Sequence, residues 1–196
     1  MKKKIGVFGG SFDPIHMGHI NLAMHLSEQI GLDQVLFCPA KISPFKVKTP
    51  PIVSYDQRCL MVEQALEGID NFFLTRVDEH RQAPSFMIDT LIDLKKTYVN
   101  DTFFLMLASD AYLHFSQWKQ ASRILSMATL LVGTRLGFEA ELESKKECLQ
   151  AKQCHMPPMD ISSKNLRCRL KEKLYCGHQI PSKVLDFIYE NRLYYP

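Results

Sequence analysis

Two histidines three positions apart, His16 and His19, lie in the segment GGSFDPIHMGH (residues 9 to 19), directly after the apolar run IGVF. At the start of a helix, residues with that spacing share a face, so both imidazoles can donate hydrogen bonds to one oxyanion. Gly9 and Gly10 carry no side chain to block a ligand, and they tolerate unusual dihedrals. Asp13 and Pro14 shape a turn, after which the helix start offers free N–H groups and the positive end of its dipole, both suited to phosphate. A metal pair or two polar caps would use the same four letters, HMGH. Position speaks for phosphate, because a first strand, a glycine turn and a helix N-terminus meet at the edge where open α/β sheets bind ligands. The sequence contains neither a GxGxxG nor a GxxxxGK[ST] element to compete with it.

A second anion site is legible in DISSKNLR, residues 160 to 167. Ser162 and Ser163 stand at a helix N-terminus with Arg167 one turn further in, and hydroxyls, free N–H groups and a guanidinium fork suit a polyphosphate. An ordinary N-cap followed by a solvated basic face would read the same way. Two such sites in one α/β fold suggest a nucleoside triphosphate. His25, His80, His114, His155 and His178 lack comparable company and read as ordinary surface or core histidines.

The elements that must position these residues follow from hydrophobic period. Short apolar runs at 4 to 9, 34 to 38, 72 to 76, 102 to 108 and 129 to 133 predict strands, and spacings of three and four predict helices over 18 to 30, 55 to 67, 86 to 98 and 119 to 126. Continuous apolar strands alternating with helices indicate a parallel sheet covered on both sides. The expected fold class is α/β, a Rossmann-like doubly wound parallel sheet of about five strands with a small helical C-terminal extension. Residues 39 to 53 hold four of the ten prolines and three lysines, and form an extended loop at the ligand edge. Residues 137 to 160 read as helix and loop up to the Pro157-Pro158 breaker, followed by a helix capped by Ser162 or Ser163 and a short final helix in IPSKVLDFIYENRLY.

Composition bounds the partners. A 196-residue chain with 46% hydrophobic residues can bury a substantial core, and its net charge of +3 with no dense internal basic run does not indicate a nucleic-acid footprint. The opening apolar run stops after four residues, too short for a signal peptide, and no run approaches a membrane span, so a cytoplasmic protein without membrane partners is expected. Six cysteines without a CxxC pair read as thiols, not as a zinc site or a disulfide framework, although Cys148, Cys154 and His155 are spaced closely enough to be weighed as ligands.

Taken in order, GGSFDPIHMGH and ISSKNLR resemble the HxGH and ISSTxIR motifs of the HxGH nucleotidyltransferase superfamily. APSFMIDTL, SDAYLHFSQWKQASRIL, LLVGTRLGF and IPSKVLDFIYENRLY narrow the resemblance, over essentially the whole chain, to bacterial nicotinate-nucleotide adenylyltransferases. It implies a single nucleotidyltransferase domain over 1 to 196, with 160 to 196 as its C-terminal helical part. It implies transfer of the adenylyl group of ATP to nicotinate mononucleotide, with Mg2+ entering with ATP and no metal ligand from the protein. The implied ATP-binding residues are Gly9, Gly10, Ser11, Phe12, His16, His19, Ser162, Ser163 and Arg167. For the mononucleotide they are Ser11, Lys46, Ser85, Asp110, Trp118, which would stack on the nicotinate ring, and Arg135. His16, His19, Lys46 and Arg167 would act on the reacting phosphates. The state of assembly, monomer or homo-oligomer, is left open.

Three positions depart from the family pattern: Phe45 where PPHK is usual, Met87 for the threonine of SYT, and Lys164 for the threonine of ISSTxIR. Met87 bears on selectivity between nicotinate and nicotinamide, because a hydroxyl that could recognise the carboxylate is missing. The competing readings are therefore an adenylyltransferase with another acceptor, such as nicotinamide mononucleotide or phosphopantetheine, and a degenerate ATP-binding protein without turnover.

Overall fold

The computed structural model describes residues 2–134, 151–155, 157 and 159–195. β1 (Lys4–Gly10), β2 (Gln34–Pro39), β3 (Phe72–Leu74), β4 (Thr102–Ala108), β5 (Ala128–Thr134) and β6 (Lys152–His155) form one sheet. Their order is β3-β2-β1-β4-β5-β6, and every pairing is parallel. The helices are α1 (Met17–Ile30), α2 (Tyr55–Leu66), α3 (Met87–Thr97), α4 (Ser109–Leu113), α5 (Ala121–Met127), α6 (Ser163–Lys171) and α7 (Ser182–Glu190). The doubly wound α/β class read from the alternation of runs is the observed one. The strand count and the reading of 137 to 160 are corrected: a sixth strand, β6, occupies part of that segment and pairs with β5 from Leu131↔Lys152 to Thr134↔His155. A four-residue edge strand, KQCH, has too little apolar content to register as a run.

The sheet core follows the two-residue period of a strand. Phe8, Val35, Phe37, Phe104, Met106 and Leu131 face the helices α1, α2, α6 and α7, whereas Ile5, Val7, Leu36, Leu105, Leu107, Leu130 and Val132 face α3, α4 and α5. Adjacent residues on one strand are thus both buried, which explains the unbroken apolar runs. No helix among the described residues is long and apolar enough to cross a membrane. Cys38, Cys59, Cys154 and Cys176 are buried cysteines outside any disulfide and Cys168 is an exposed one, while Cys148 lies outside the described residues.

Strand order reverses between β1 and β4, and the two strands part there. They pair only from Lys4↔Thr102 to Val7↔Leu105, although β1 runs on to Gly10 and β4 to Ala108. β1 stays with β2 as far as Gly10↔Pro39. The crevice that results at the C-terminal ends of the strands is the switch point at which doubly wound sheets take ligands.

The C-terminal helices are built into the core, not appended to it. Leu166, Leu170, Cys176, Ile180, Val184 and Ile188 join the cluster that contains Phe8 and Phe12. The tail then turns through Tyr194, whose φ of 67° is left-handed. Its hydroxyl donates to Asp13 Oδ1 at 2.8 Å, inside the protein. Burial, then the neighbouring Asp13 charge, push the Tyr194 phenol well above its ordinary pKa, so it remains a donor at any working pH. Tyr194→Phe keeps the ring and removes one buried donor from a carboxylate. We expect a loss of about 1 to 3 kcal/mol in denaturant unfolding, with no loss for Tyr189→Phe, whose hydroxyl is not tied to Asp13.

Candidate active site

The loop between β1 and α1 is held in a conformation its residues would not adopt unaided. Phe12 has φ 48°, in the left-handed region. Phe12 is almost fully buried in a ring cluster, 5.6 Å from Phe8 and 5.8 Å from Phe37, and this packing offsets the backbone strain. Its ring also lies under Gly10, where a Cβ would come within 2.8 Å of it. The glycine and the phenylalanine are therefore one packing arrangement.

His16 caps α1 and His19 follows three residues on, with ring centroids 3.7 Å apart and planes 30° from parallel. His19 packs edge-on against Phe12 at 5.1 Å. The His16 amide donates to His19 Nδ1 at 3.3 Å, so in the neutral ring the proton sits on Nε2. Gly18 between them leaves room for the ring, because a Cβ there would stand 3.0 Å from His16 Nδ1, tighter than ordinary contact. The helix start differs in part from the expectation of open N–H groups. The Met17 amide already donates to Gln179 O and the His19 amide to His16 O, each at 2.9 Å. The helix terminus thus offers fewer open N–H groups than its sequence suggests.

Arg167 on α6 reaches back to this loop. Its Nη1 donates to the Asp13 carbonyl at 2.7 Å and lies 3.8 Å from Asp13 Oδ2. Ser163 donates to the Pro14 carbonyl at 3.0 Å, and Ser162 accepts the Asn165 amide at 3.2 Å as the helix cap. Of the two hydroxyls expected to cradle an anion, Ser163 thus holds the two motifs together with its proton on the Pro14 carbonyl, and Ser162 caps its own helix. Lys164 is exposed on the outer face.

Lys46 closes a short 3-10 turn (Pro44–Lys46) and donates to Ser11 Oγ at 3.1 Å. The residue as a whole is exposed, but its ammonium is tucked against the β1–α1 loop. Burial there, and then the like charge of Arg167, hold its pKa below the ordinary lysine value, with Asp13 opposing, Arg58 adding to the effect and Asp110 opposing. The opposite lip of the crevice carries Asp110, exposed in the first turn of α4, and Trp118, half-buried with its ring 5.4 Å from Phe115. Ser85 is buried, accepts the Lys41 amide at 2.9 Å and donates its own amide to Ile42 O at 2.8 Å, which ties two loops together. Met87 opens α3, and its methyl group occupies the space above Gly9. Phe45 projects into solvent. Arg135 lies outside the described residues.

Two residues organise this edge without being candidates from the sequence. Asp13 reads there only as a turn former, yet its buried carboxylate accepts from Tyr194 and from the Ile52 amide at 3.0 Å. Arg58 is the second. It is 1% exposed and donates to the carbonyls of Ser11 (2.6 Å), Ala40 (2.7 Å) and Lys41 (2.9 Å). A signal was present, because Arg58 falls on the apolar stripe Met61, Val62, Ala65 and Leu66 of α2, where a cation is out of place unless paired.

Residues 7–169 match the cytidylyltransferase-like family. The nicotinate-nucleotide adenylyltransferase of Bacillus subtilis is 34% identical over 192 residues, covering 98% of both chains. A probable nicotinate-nucleotide adenylyltransferase of Carboxydothermus hydrogenoformans is 34% identical over 198 residues, covering 97% of this chain and 98% of its own. A solved structure of Plasmodium falciparum nicotinic acid mononucleotide adenylyltransferase, complexed with NaAD, has the same fold with a TM-score of 0.82 at 20% identity, covering 98% of this chain and 97% of that one. With the family match spanning most of the chain and the strand-end crevice built as described, the chain belongs to the cytidylyltransferase-like nucleotidyltransferases, in the nicotinate-nucleotide adenylyltransferase group.

Proposed function

We propose that this protein transfers the adenylyl group of ATP to the 5′-phosphate of nicotinate mononucleotide, giving nicotinate adenine dinucleotide and pyrophosphate in NAD biosynthesis. The observation that carries this reading is the contact between Arg167 and the Asp13 carbonyl, 154 positions apart in sequence, which unites the two phosphate motifs at one sheet edge. Full-length similarity to nicotinate-nucleotide adenylyltransferases supports the choice of acceptor.

The nucleophile is an already ionised phosphate oxygen, so the reaction needs alignment and charge stabilisation, not a general base. That oxygen attacks the α-phosphorus of ATP while the bond to the bridging β-oxygen breaks, and the electron pair leaves with pyrophosphate. His16 and His19 donate to ATP phosphate oxygens, and Gly9 and Gly10 let the nucleotide approach the strand end closely. Lys46, held beside Ser11, faces the α-phosphate, and Arg167 stabilises the departing pyrophosphate. Ser11 and Phe12 present backbone to the phosphates, and Ser162 and Ser163 hold the α6 terminus in place. Asp110 faces the mononucleotide sugar, Ser85 its loop, and Trp118 offers the nicotinate ring a stacking surface already backed by Phe115. Among the described residues no three His, Cys, Asp or Glu side chains cluster to hold a metal, and the donor set is mostly cationic. It suits a triphosphate that brings its own divalent cation, Mg2+, which spreads the charge of the phosphates when bound.

A second reading rests on Met87. A thioether fills the position above Gly9 where a hydroxyl would recognise a carboxylate, which favours an acceptor range that includes nicotinamide mononucleotide. Pyrophosphate release with Mg-ATP and nicotinate mononucleotide, nicotinamide mononucleotide or phosphopantetheine tests both. We expect strong preference for the first; equal rates with the two pyridine nucleotides would favour the second reading. Absence of release with all three, alongside ATP binding, would leave a nucleotide-binding protein without turnover. His19→Ala is expected to lower kcat by about 100-fold or more with the thermal unfolding profile kept, the scale of losing one preorganised donor. For Trp118→Ala we expect KM for the mononucleotide to rise much more than KM for ATP; equal rises would assign Trp118 to packing alone.

A further inference from the structure

We propose that Arg58 is a positioning residue for adenylyl transfer, one guanidinium that joins the ends of β1 and β2 and thereby places Lys46 against the β1–α1 loop. The inference rests on the functional reading above, in which Lys46 faces the α-phosphate. The Arg58 side chain leaves the buried face of α2, and its two terminal nitrogens span three backbone carbonyls: Ser11 just past β1, and Ala40 and Lys41 just past β2. The Ala40 amide in turn donates to Gly10 O at 2.8 Å, so the two strand ends are stitched from both sides. Five residues beyond Lys41 the chain reaches Lys46, whose ammonium returns to Ser11 Oγ. A closed circuit results, from Ser11 through Arg58 to Lys41, along the loop to Lys46, and back to Ser11. Removing the guanidinium opens it at the two points where it crosses from strand to strand.

Chemistry favours arginine in this role over any other residue. Three carbonyl oxygens at the ligand edge, left without donors, would repel an incoming phosphate and would be costly to bury. A planar fork with several fixed donors satisfies all three at once, whereas a lysine ammonium is a compact charge on a flexible stem. Burial alone would lower the Arg58 pKa, with Asp13 opposing, but a guanidinium remains charged at any working pH. That charge reaches Lys46 as well. The groups facing the Lys46 ammonium are Ser11 and Asp13 from the β1–α1 loop, Arg58 from α2, Asp110 from α4 and Arg167 from α6, and the two arginines lower its pKa while the two carboxylates raise it.

The test compares wild type, Arg58→Lys and Arg58→Met by thermal unfolding, steady-state kinetics, and NMR titration of the Lys46 ammonium in the protein without substrates. Expected is a fall in kcat of about 10- to 100-fold for both variants at a temperature where they are folded, with smaller changes in either KM, the scale of a misplaced reacting group. The Lys46 pKa should rise toward the ordinary lysine value in both variants, and the rise in Arg58→Lys, which keeps the like charge, reports an ammonium released from its burial against the β1–α1 loop. A kcat for folded Arg58→Met within about twofold of wild type overturns the proposal. So does an unmoved Lys46 titration in folded Arg58→Lys, which would break the link to that residue. If both variants are unfolded at the assay temperature, Arg58 is a folding residue and the proposal falls. Should wild type itself show no turnover, the functional reading fails, and the Lys46 titration still decides whether Arg58 places that group.

Discussion

The carboxylate of Asp13 is almost completely buried, and the site is assembled around what it requires. A carboxylate withdrawn from water must be paired or become very costly. Here the Tyr194 hydroxyl and the Ile52 amide each donate to one oxygen, while Arg167 stands nearby and donates to the residue's own carbonyl. Those partners come from the C-terminal tail, the proline-rich loop and α6. One side chain therefore gathers three distant segments onto the loop that follows the first strand. The left-handed Phe12 sits within that same gathered region.

Around this anion the edge is rich in donors and positive charge. Burial first, and then the nearby charges of Arg167 and Arg58, lower the Lys46 pKa against the pull of Asp13 and Asp110. Crowding like charges is unfavourable in the free protein, and packing elsewhere must outweigh it. Two hydrophobic clusters, one on each face of the sheet, supply that packing. A polyphosphate at this edge would relieve the repulsion, which accords with the proposed transfer at a phosphoryl centre. The two stacked histidines add directional donors without requiring a permanent charge.

Much of the fold was legible from period and punctuation. The runs at 4 to 9, 34 to 38, 102 to 108 and 129 to 133 are strands because both faces of this sheet are covered, and Gly31, with φ 64°, ends α1 as expected of a helix stop. β6 escaped because KQCH alternates too briefly and is recruited by β5, a tertiary effect. At the site, HMGH and ISSKNLR were found because each carries several chemically suited residues in a short stretch. Ser163 was assigned to the anion, whereas its proton lies on the Pro14 carbonyl, a partner 149 positions away that no local pattern announces. Arg58 was hidden for the opposite reason, since a single cation in an apolar stripe has meaning only once its carbonyl partners are known.

The sequence by itself determined the layer architecture, the edge of the sheet where ligands bind, and the residue types available to meet a phosphate. These depend on local period, on glycine and proline, and on side-chain chemistry, all of which act over a few residues. Only the tertiary structure decided that Asp13 is a buried junction and not a turn former, that Tyr194 and Arg167 close on it, and that Arg58 ties β1 to β2 beneath Lys46. The physical reason is the desolvation of polar groups: which buried carboxylate, guanidinium or carbonyl needs a partner is settled only when the chain has excluded water, and the partner that answers can lie anywhere along it.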